Sequence, residues 1–298
     1  MHLDIALAGL VVGFVIGLTG MGGGALMTPV LVVFFHVPAS AAISSDVVAS
    51  FFLKPIGGGV HIRKRTVNWG IVRWLAIGSV PAAFLGSYVI DRVASQGLDN
   101  RVKQILGFTL LLAAAAMVVK IVVQRHRRST DELLQPSQIR PLPTLLIGVA
   151  GGFIVGMTSV GSGSLMIVML MLLYPALTSR EMVGTDLVQA IPLVGAAALG
   201  HLLFGHFQLD LATSVLVGAI PGVYLGAHVS ARASDRYVRP ALVAVLTISS
   251  LKLLNASNDV LLGATIAAVS VLLAMFVVMM RRKPVASTPV PELAPQAG

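Results

Sequence analysis

Apolar residues fall along this chain in long runs separated by short polar stretches. The runs cover about 3–18, 24–36, 41–60, 69–90, 104–123, 144–157, 161–174, 182–204, 209–230, 238–253 and 259–280. A helix needs about 20 residues to cross a hydrocarbon core of about 30 Å, and several runs meet that length. The expected fold class is therefore all-α: a polytopic membrane protein.

Four runs are short, 3–18, 24–36, 144–157 and 161–174, and they form two pairs. Each pair is interrupted by small residues, Thr19-Gly20-Met21-Gly22-Gly23-Gly24 in the first and Thr158-Ser159-Val160-Gly161-Ser162-Gly163-Ser164 in the second. Glycine costs a helix interior about 1 kcal/mol relative to alanine, so each stretch predicts a helix end followed by a new helix, starting near Ala25 and Leu165. Between the pairs, 124–143 is polar and charged and carries Pro136, Pro141 and Pro143. The expected organisation is a first transmembrane repeat over 1–123, a cytoplasmic linker over 124–143, a second repeat plus a last span over 144–283, and a disordered tail over 284–298.

The two halves resemble each other. At an offset of 139, Gly13, Phe14, Gly17, Thr19, Gly22, Gly24, Leu26 and Met27 match Gly152, Phe153, Gly156, Thr158, Gly161, Gly163, Leu165 and Met166. At an offset of 140, Asp46 matches Asp186, His61 matches His201, and Gly78, Pro81, Gly86 and Arg92 match Gly218, Pro221, Gly226 and Arg232. Matches of Asp, His, Pro and Arg in register are informative in so apolar a chain.

Composition sharpens the class. The 298 residues are 56% hydrophobic and 11% charged, against about 25% charged in soluble domains. With no cysteine, disulfides, thiolate metal sites and a cysteine nucleophile are excluded. The net charge of +9 sits in short runs between apolar segments, namely Arg63-Lys64-Arg65, Arg125-His126-Arg127-Arg128 and Arg281-Arg282-Lys283. Such runs mark cytoplasmic loops rather than a nucleic-acid surface. Loop 201–208 has no Lys or Arg, whereas 231–239 has Arg232, Arg236 and Arg239. These assignments agree only if the halves have opposite topology, the inverted-repeat plan of many secondary transporters. Segment 91–103, with Arg92, Arg101 and Lys103, runs against the pattern. Each short pair then enters and leaves on one side as a hairpin, and the two tips approach mid-membrane from opposite faces.

A helix start exposes unpaired amides and about half a positive charge, and glycine lets a ligand approach the backbone. Two such starts form an anion site without a fixed cation. The candidate substrate-binding residues are Thr19, Gly20, Gly22, Gly23, Gly24, Thr158, Ser159, Gly161, Ser162, Gly163 and Ser164, joined by Lys54, a lysine inside an apolar span that has either a counter-charge role or a pairing role with Asp46. The bland reading of glycines in membrane helices is close packing, and it suits Gly13, Gly17, Gly152 and Gly156. Asp46 and Asp186 follow Ser45 and Thr185 near span starts, and read either as helix caps or as proton-coupling groups. His61 and His201 end matched spans, and read either as interfacial residues or as parts of a proton relay. No metal site and no cofactor are expected.

Gly13-Phe14-Val15-Ile16-Gly17-Leu18-Thr19-Gly20-Met21-Gly22-Gly23-Gly24, followed by Pro29, resembles the opening motif of the sulfite exporter TauE/SafE family of membrane permeases. The looser copy from Gly152 to Gly163, with serines at Ser162 and Ser164, and the basic loop from His61 to Asn68 are similar to that family too. The resemblance spans about 5–280. It implies a carrier of sulfite or a related organosulfur anion in the bacterial inner membrane, and the basic run 281–283 places the C-terminus on the cytoplasmic side. It leaves the substrate, the direction of transport and the coupling ion open. The expected partners are a small anion and the lipid bilayer, not nucleic acid; a homodimer is an allowed assembly. The competing classes are a membrane-embedded lipid-phosphate hydrolase, which lacks a visible acid/base constellation, and a cation permease, whose ions would bind unwound carbonyls. No Walker A motif is present, so ATP is not the direct energy source.

Overall fold

The computed structural model describes residues 3–19, 24–127, 138–205, 207–230 and 235–266. Ten helices are defined among them: α1 (Leu3–Thr19), α2 (Gly24–Val33), α3 (Ala39–Arg63), α4 (Trp69–Ser95), α5 (Asp99–Arg127), α6 (Pro141–Thr158), α7 (Leu165–Leu173), α8 (Ser179–Phe204), α9 (Leu209–Ser230) and α10 (Asp235–Leu253). Helical backbone resumes over 258–266, the described part of the last apolar run. The tail 284–298 and linker positions 128–137 lie outside the described residues.

Among the described residues, six helices are long and apolar enough to cross a membrane: those within Ala39–Arg63, Trp69–Ser95, Asp99–Ile121, Pro141–Thr158, Arg180–Phe204 and Leu209–Gly226. The protein is an all-helical, multi-pass membrane protein. Local chemistry sets the helix ends. Asn68 caps α4 by accepting from the Ile71 amide at 3.2 Å. Thr178 and Glu181 close a reciprocal capping box at α8, satisfying two amides that a helix start would otherwise leave bare.

Both glycine/serine stretches interrupt the helix, as their composition predicts. One break falls between Thr19 and Gly24, the other between Thr158 and Leu165. The pieces are unequal, however. With a rise of about 1.5 Å per residue, the 10 residues of α2 and the 9 of α7 reach about half a bilayer. The 18 of α6 reach nearly across. The expectation of two half-length pieces thus holds only for the second member of each pair. Burial explains the difference: eight of the ten α2 residues are buried, and α7 is buried over most of its length. A helix enclosed by protein need not match the thickness of the lipid.

Packing interleaves the halves. α1 lies along α9, and α6, its repeat mate, lies along α4, the repeat mate of α9. Mates α3 and α8 pack on each other, as do α5 and α10. Glycines make the two long contacts. A Cβ on Gly13 would fall 2.6 Å from the Ala219 carbonyl oxygen, and side chains on Gly152 and Gly156 would collide with the Ser79 and Ala83 backbones. Close backbone approach of this kind is the main source of helix adhesion where lipid offers no hydrophobic drive. α3 is the most enclosed of the six long helices, with 72% of its apolar window buried. It carries Lys54 and Asp46, two of the polar groups described next.

Candidate functional site

The second break is a tight, self-bonded turn. Ser159 ends α6 in the left-handed region at φ 62°, and Gly161 and Gly163 have φ of 122° and 91°. Glycine adopts such values without strain, which explains its choice at both positions. The Gly161 carbonyl accepts from the Leu165 and Met166 amides at 3.0 and 3.3 Å. The amides expected to lie bare at the start of α7 are therefore partly spent within the turn.

The first break meets the second directly. Gly24, the first residue of α2, lies against the Ser159 carbonyl, where any side chain would collide. Glycine is required here for proximity. Gly20, Gly22 and Gly23 lie outside the described residues, as does the side chain of Thr19.

Around this contact the structure gathers side chains from α2, α3, α4 and α8 and from the turn that leads into α7. Lys54 of α3 is buried at 7% exposure, and its Nζ donates to Ser162 Oγ at 2.7 Å. Asp46, two turns earlier on α3, accepts from Thr28 Oγ1 at 2.7 Å and from the Ser159 hydroxyl. Asp186 of α8 accepts from Gln189 Nε2 at 3.3 Å and from the Gly163 amide. Ser79 Oγ of α4 donates to Gln189 Oε1 at 3.3 Å. Both carboxylates act electrostatically on the Lys54 ammonium. An unpaired buried charge costs several kcal/mol, so these three charges hold one another in place.

One group is left over. Ser164 occupies the N-cap position of α7, yet its hydroxyl makes no capping bond, and its Oγ is buried without a hydrogen-bond partner. Buried hydroxyls nearly always have partners, so this one has spare capacity beside the Lys54–Ser162 contact.

Several expectations are revised. The Thr158 hydroxyl is engaged locally: it donates to the Ile154 carbonyl of its own helix at 2.7 Å and accepts from the Val160 amide of the break at 3.3 Å. Asp46 and Asp186 are not helix caps. The residues preceding α3 and α8 are Pro38 and Thr178, and both aspartates lie two turns inside, buried at 2% and 1% exposure. His61 sits half-buried at the end of α3 with Nδ1 2.8 Å from Thr66 Oγ1. His201, in the last turn of α8, is fully buried, with Nδ1 2.9 Å from Asp91 Oδ2. Thr28, Ser79, Gln189 and Asp91 were missed by sequence reasoning. A buried amide in an apolar span marks Gln189, whereas Asp91 directly follows the apolar run 69–90 and carries no such signal.

Among the described residues, no group of three or more His, Cys, Asp or Glu is placed to hold a metal. A recess of about 520 Å³ lined by Asp4, Phe35, Gln208 and Asp210 opens elsewhere and includes none of the residues around Lys54.

A helical bundle that crosses a bilayer several times, with broken helices meeting at a buried charged cluster, defines a membrane transporter. The chain belongs to the family described as "Sulfite exporter TauE/SafE", whose profile matches residues 5–253. It is similar to "Probable membrane transporter protein YjnA" of Bacillus subtilis (strain 168), at 39% identity over 85% of this chain and 100% of that one. It is also similar, at 24% identity each, to "Probable membrane transporter protein YdhB" of the same organism, over 84% of this chain and 99% of the relative, and to "Probable membrane transporter protein MJ0441" of Methanocaldococcus jannaschii, over 82% and 94%. No solved structure matches the chain. These relatives are named as transporters, and the protein is a transporter rather than an enzyme.

Proposed function

We propose that this protein is a secondary carrier of a small anion, sulfite or an organosulfonate, and that the anion binds where the two helix breaks meet. The observation that carries the reading is the contact of Lys54 Nζ with Ser162 Oγ beside the unpartnered hydroxyl of Ser164. A buried ammonium, two hydroxyls and the positive end of α7 suit an oxyanion of a few atoms. Sulfite follows from the family description, and an organosulfonate presents the same head group. Among the described residues, the side chains of Lys54, Ser162 and Ser164 add donors to those expected from the glycine breaks.

A cation reading draws on Asp46 and Asp186. Both carboxylates already accept two hydrogen bonds, and the Lys54 ammonium repels a cation entering between them. The donors that remain favour an anion.

The crossed packing of repeat mates supports an inverted-repeat arrangement, and the basic runs support a cytoplasmic C-terminus in a bacterial inner membrane. The test is uptake into proteoliposomes of sulfite, sulfoacetate and a divalent cation, measured side by side. Saturable uptake of either anion and none of the cation is the expected result. Uptake of the cation alone would overturn the proposal.

A further inference from the structure

A second buried polar cluster lies apart from Lys54, where α3, α4, α6 and α8 meet. His201 Nε2 lies 2.9 Å from the Gly156 carbonyl oxygen. Its Nδ1 lies 2.9 Å from Asp91 Oδ2 and 3.2 Å from Ser44 Oγ. His201 and Ser44 are fully buried and Asp91 is 2% exposed.

The hydrogens in this cluster can be counted. A carbonyl only accepts, so Nε2 carries a hydrogen. The Ser44 hydroxyl is donated to the Ser40 carbonyl at 2.9 Å, so toward His201 it too is an acceptor. A neutral imidazole has one N–H, already committed to Gly156. The contact of Nδ1 with Asp91 Oδ2 therefore requires one further proton. That proton sits either on nitrogen, as imidazolium facing carboxylate, or on oxygen, as imidazole facing carboxylic acid. Without it, two lone pairs would face each other at hydrogen-bonding distance. Asp91 Oδ1 has no partner, so no other bond offsets a bare carboxylate.

We propose that the His201–Asp91 pair is the binding site of a coupling proton, so that the carrier is proton-driven. This rests on the reading of the protein as a secondary transporter. The proton joins α8 to α4 through its own hydrogen bond. Through Gly156, two residues before the end of α6, it also reaches the helix that leads into the second break. Losing the proton removes the Nδ1–Oδ2 bond and frees α4 from α8 at that level. The neighbouring charges point elsewhere. Arg92 bonds Tyr88 at 3.0 Å, its guanidinium over that ring, and Asp46 on α3 is held by Thr28. The device exists in one half only: the repeat mate His61 faces Thr66, and the position matching Asp91 is Ala231.

A purely structural ion pair would hold its proton at every working pH, which makes the two roles separable. The full chain in lipid nanodiscs, with its seven histidines isotope-labelled, is followed by NMR as pH is varied, and His201→Gln assigns the signal. The expected result is a His201 imidazole that exchanges one proton with solvent, while Asp91→Asn leaves it a single, non-titrating Nε2–H tautomer. A second measurement uses proteoliposomes with an internal pH dye and sulfite as probe. Protons moved per sulfite should fall toward zero in Asp91→Asn. A His201 signal identical at every pH, or an unchanged proton-to-sulfite ratio in Asp91→Asn, overturns the proposal. If the wild type moves no sulfite, the substrate reading fails, and the imidazole titration alone decides the proton site.

Discussion

The ammonium of Lys54 and the hydroxyl of Ser162, 108 positions apart in the chain, are joined by a buried 2.7 Å hydrogen bond. The bond ties the middle of α3 to the turn between α6 and α7, and so spans the two repeats. Lys54→Gln retains a donor for Ser162 but removes the charge. A hydrogen bond to a charged group is worth about 1.5–3 kcal/mol, so sulfite binding should weaken by roughly 10- to 150-fold. Isothermal titration on purified protein measures it, with thermal unfolding as the check that Asp46 and Asp186 still tolerate the change. Unaltered affinity in a folded variant would remove Lys54 from the site.

Ser164→Ala separates stability from binding. Its hydroxyl has no partner, and a buried unsatisfied group costs about 1–3 kcal/mol. The unliganded variant should melt no lower than the wild type, while its affinity for the anion falls by about tenfold. A drop in melting temperature with unchanged affinity would mean that the hydroxyl serves the fold.

Thr158→Val should leave anion affinity within about twofold of wild type, because its hydroxyl is already engaged by the Ile154 carbonyl and the Val160 amide. Binding measurements on this variant beside Ser162→Ala test whether the break binds through particular side chains or through general polarity.

Glycines should fall into two classes. Gly13→Ala places a methyl 2.6 Å from the Ala219 carbonyl oxygen, and overpacking of that kind costs about 1–3 kcal/mol. At Gly59, nothing lies within 4 Å of an added Cβ. Gly59→Ala should instead raise stability by up to about 1 kcal/mol, the helix-propensity difference. Thermal unfolding in detergent compares the pair, and equal effects would contradict the packing described for α1 and α9.

Much of the architecture was legible because its causes are local. Apolar run length marks the spans, and glycine clusters end helices wherever they fall, so the breaks after Thr19 and Thr158 could be placed from composition alone. Asp, His and Pro recurring in register led to the expectation of a repeat, with which the pairing of corresponding helices agrees. Partner choice was not, since it depends on residues far apart in the chain. Nothing near Asp91 announces a histidine 110 positions away, and nothing near Gly161 shows that its carbonyl takes up the amides that follow. Asp46 and Asp186 illustrate the limit: their sequence neighbours, Ser45 and Thr185, suggested caps, whereas the helices begin two turns earlier.

The crossed pairing of α1 with α9 and of α4 with α6 bears on how the molecule is made. As the ribosome delivers the chain, α1 enters the bilayer with its glycine face against lipid and stays so until Leu209–Ser230 arrives. α4 waits a shorter time for Pro141–Thr158. Neither half can close on its own, so assembly must be a late, long-range event. A chain severed in the linker would give two fragments that need each other to mature, and co-expression of both, rather than either alone, would be the route to a stable particle.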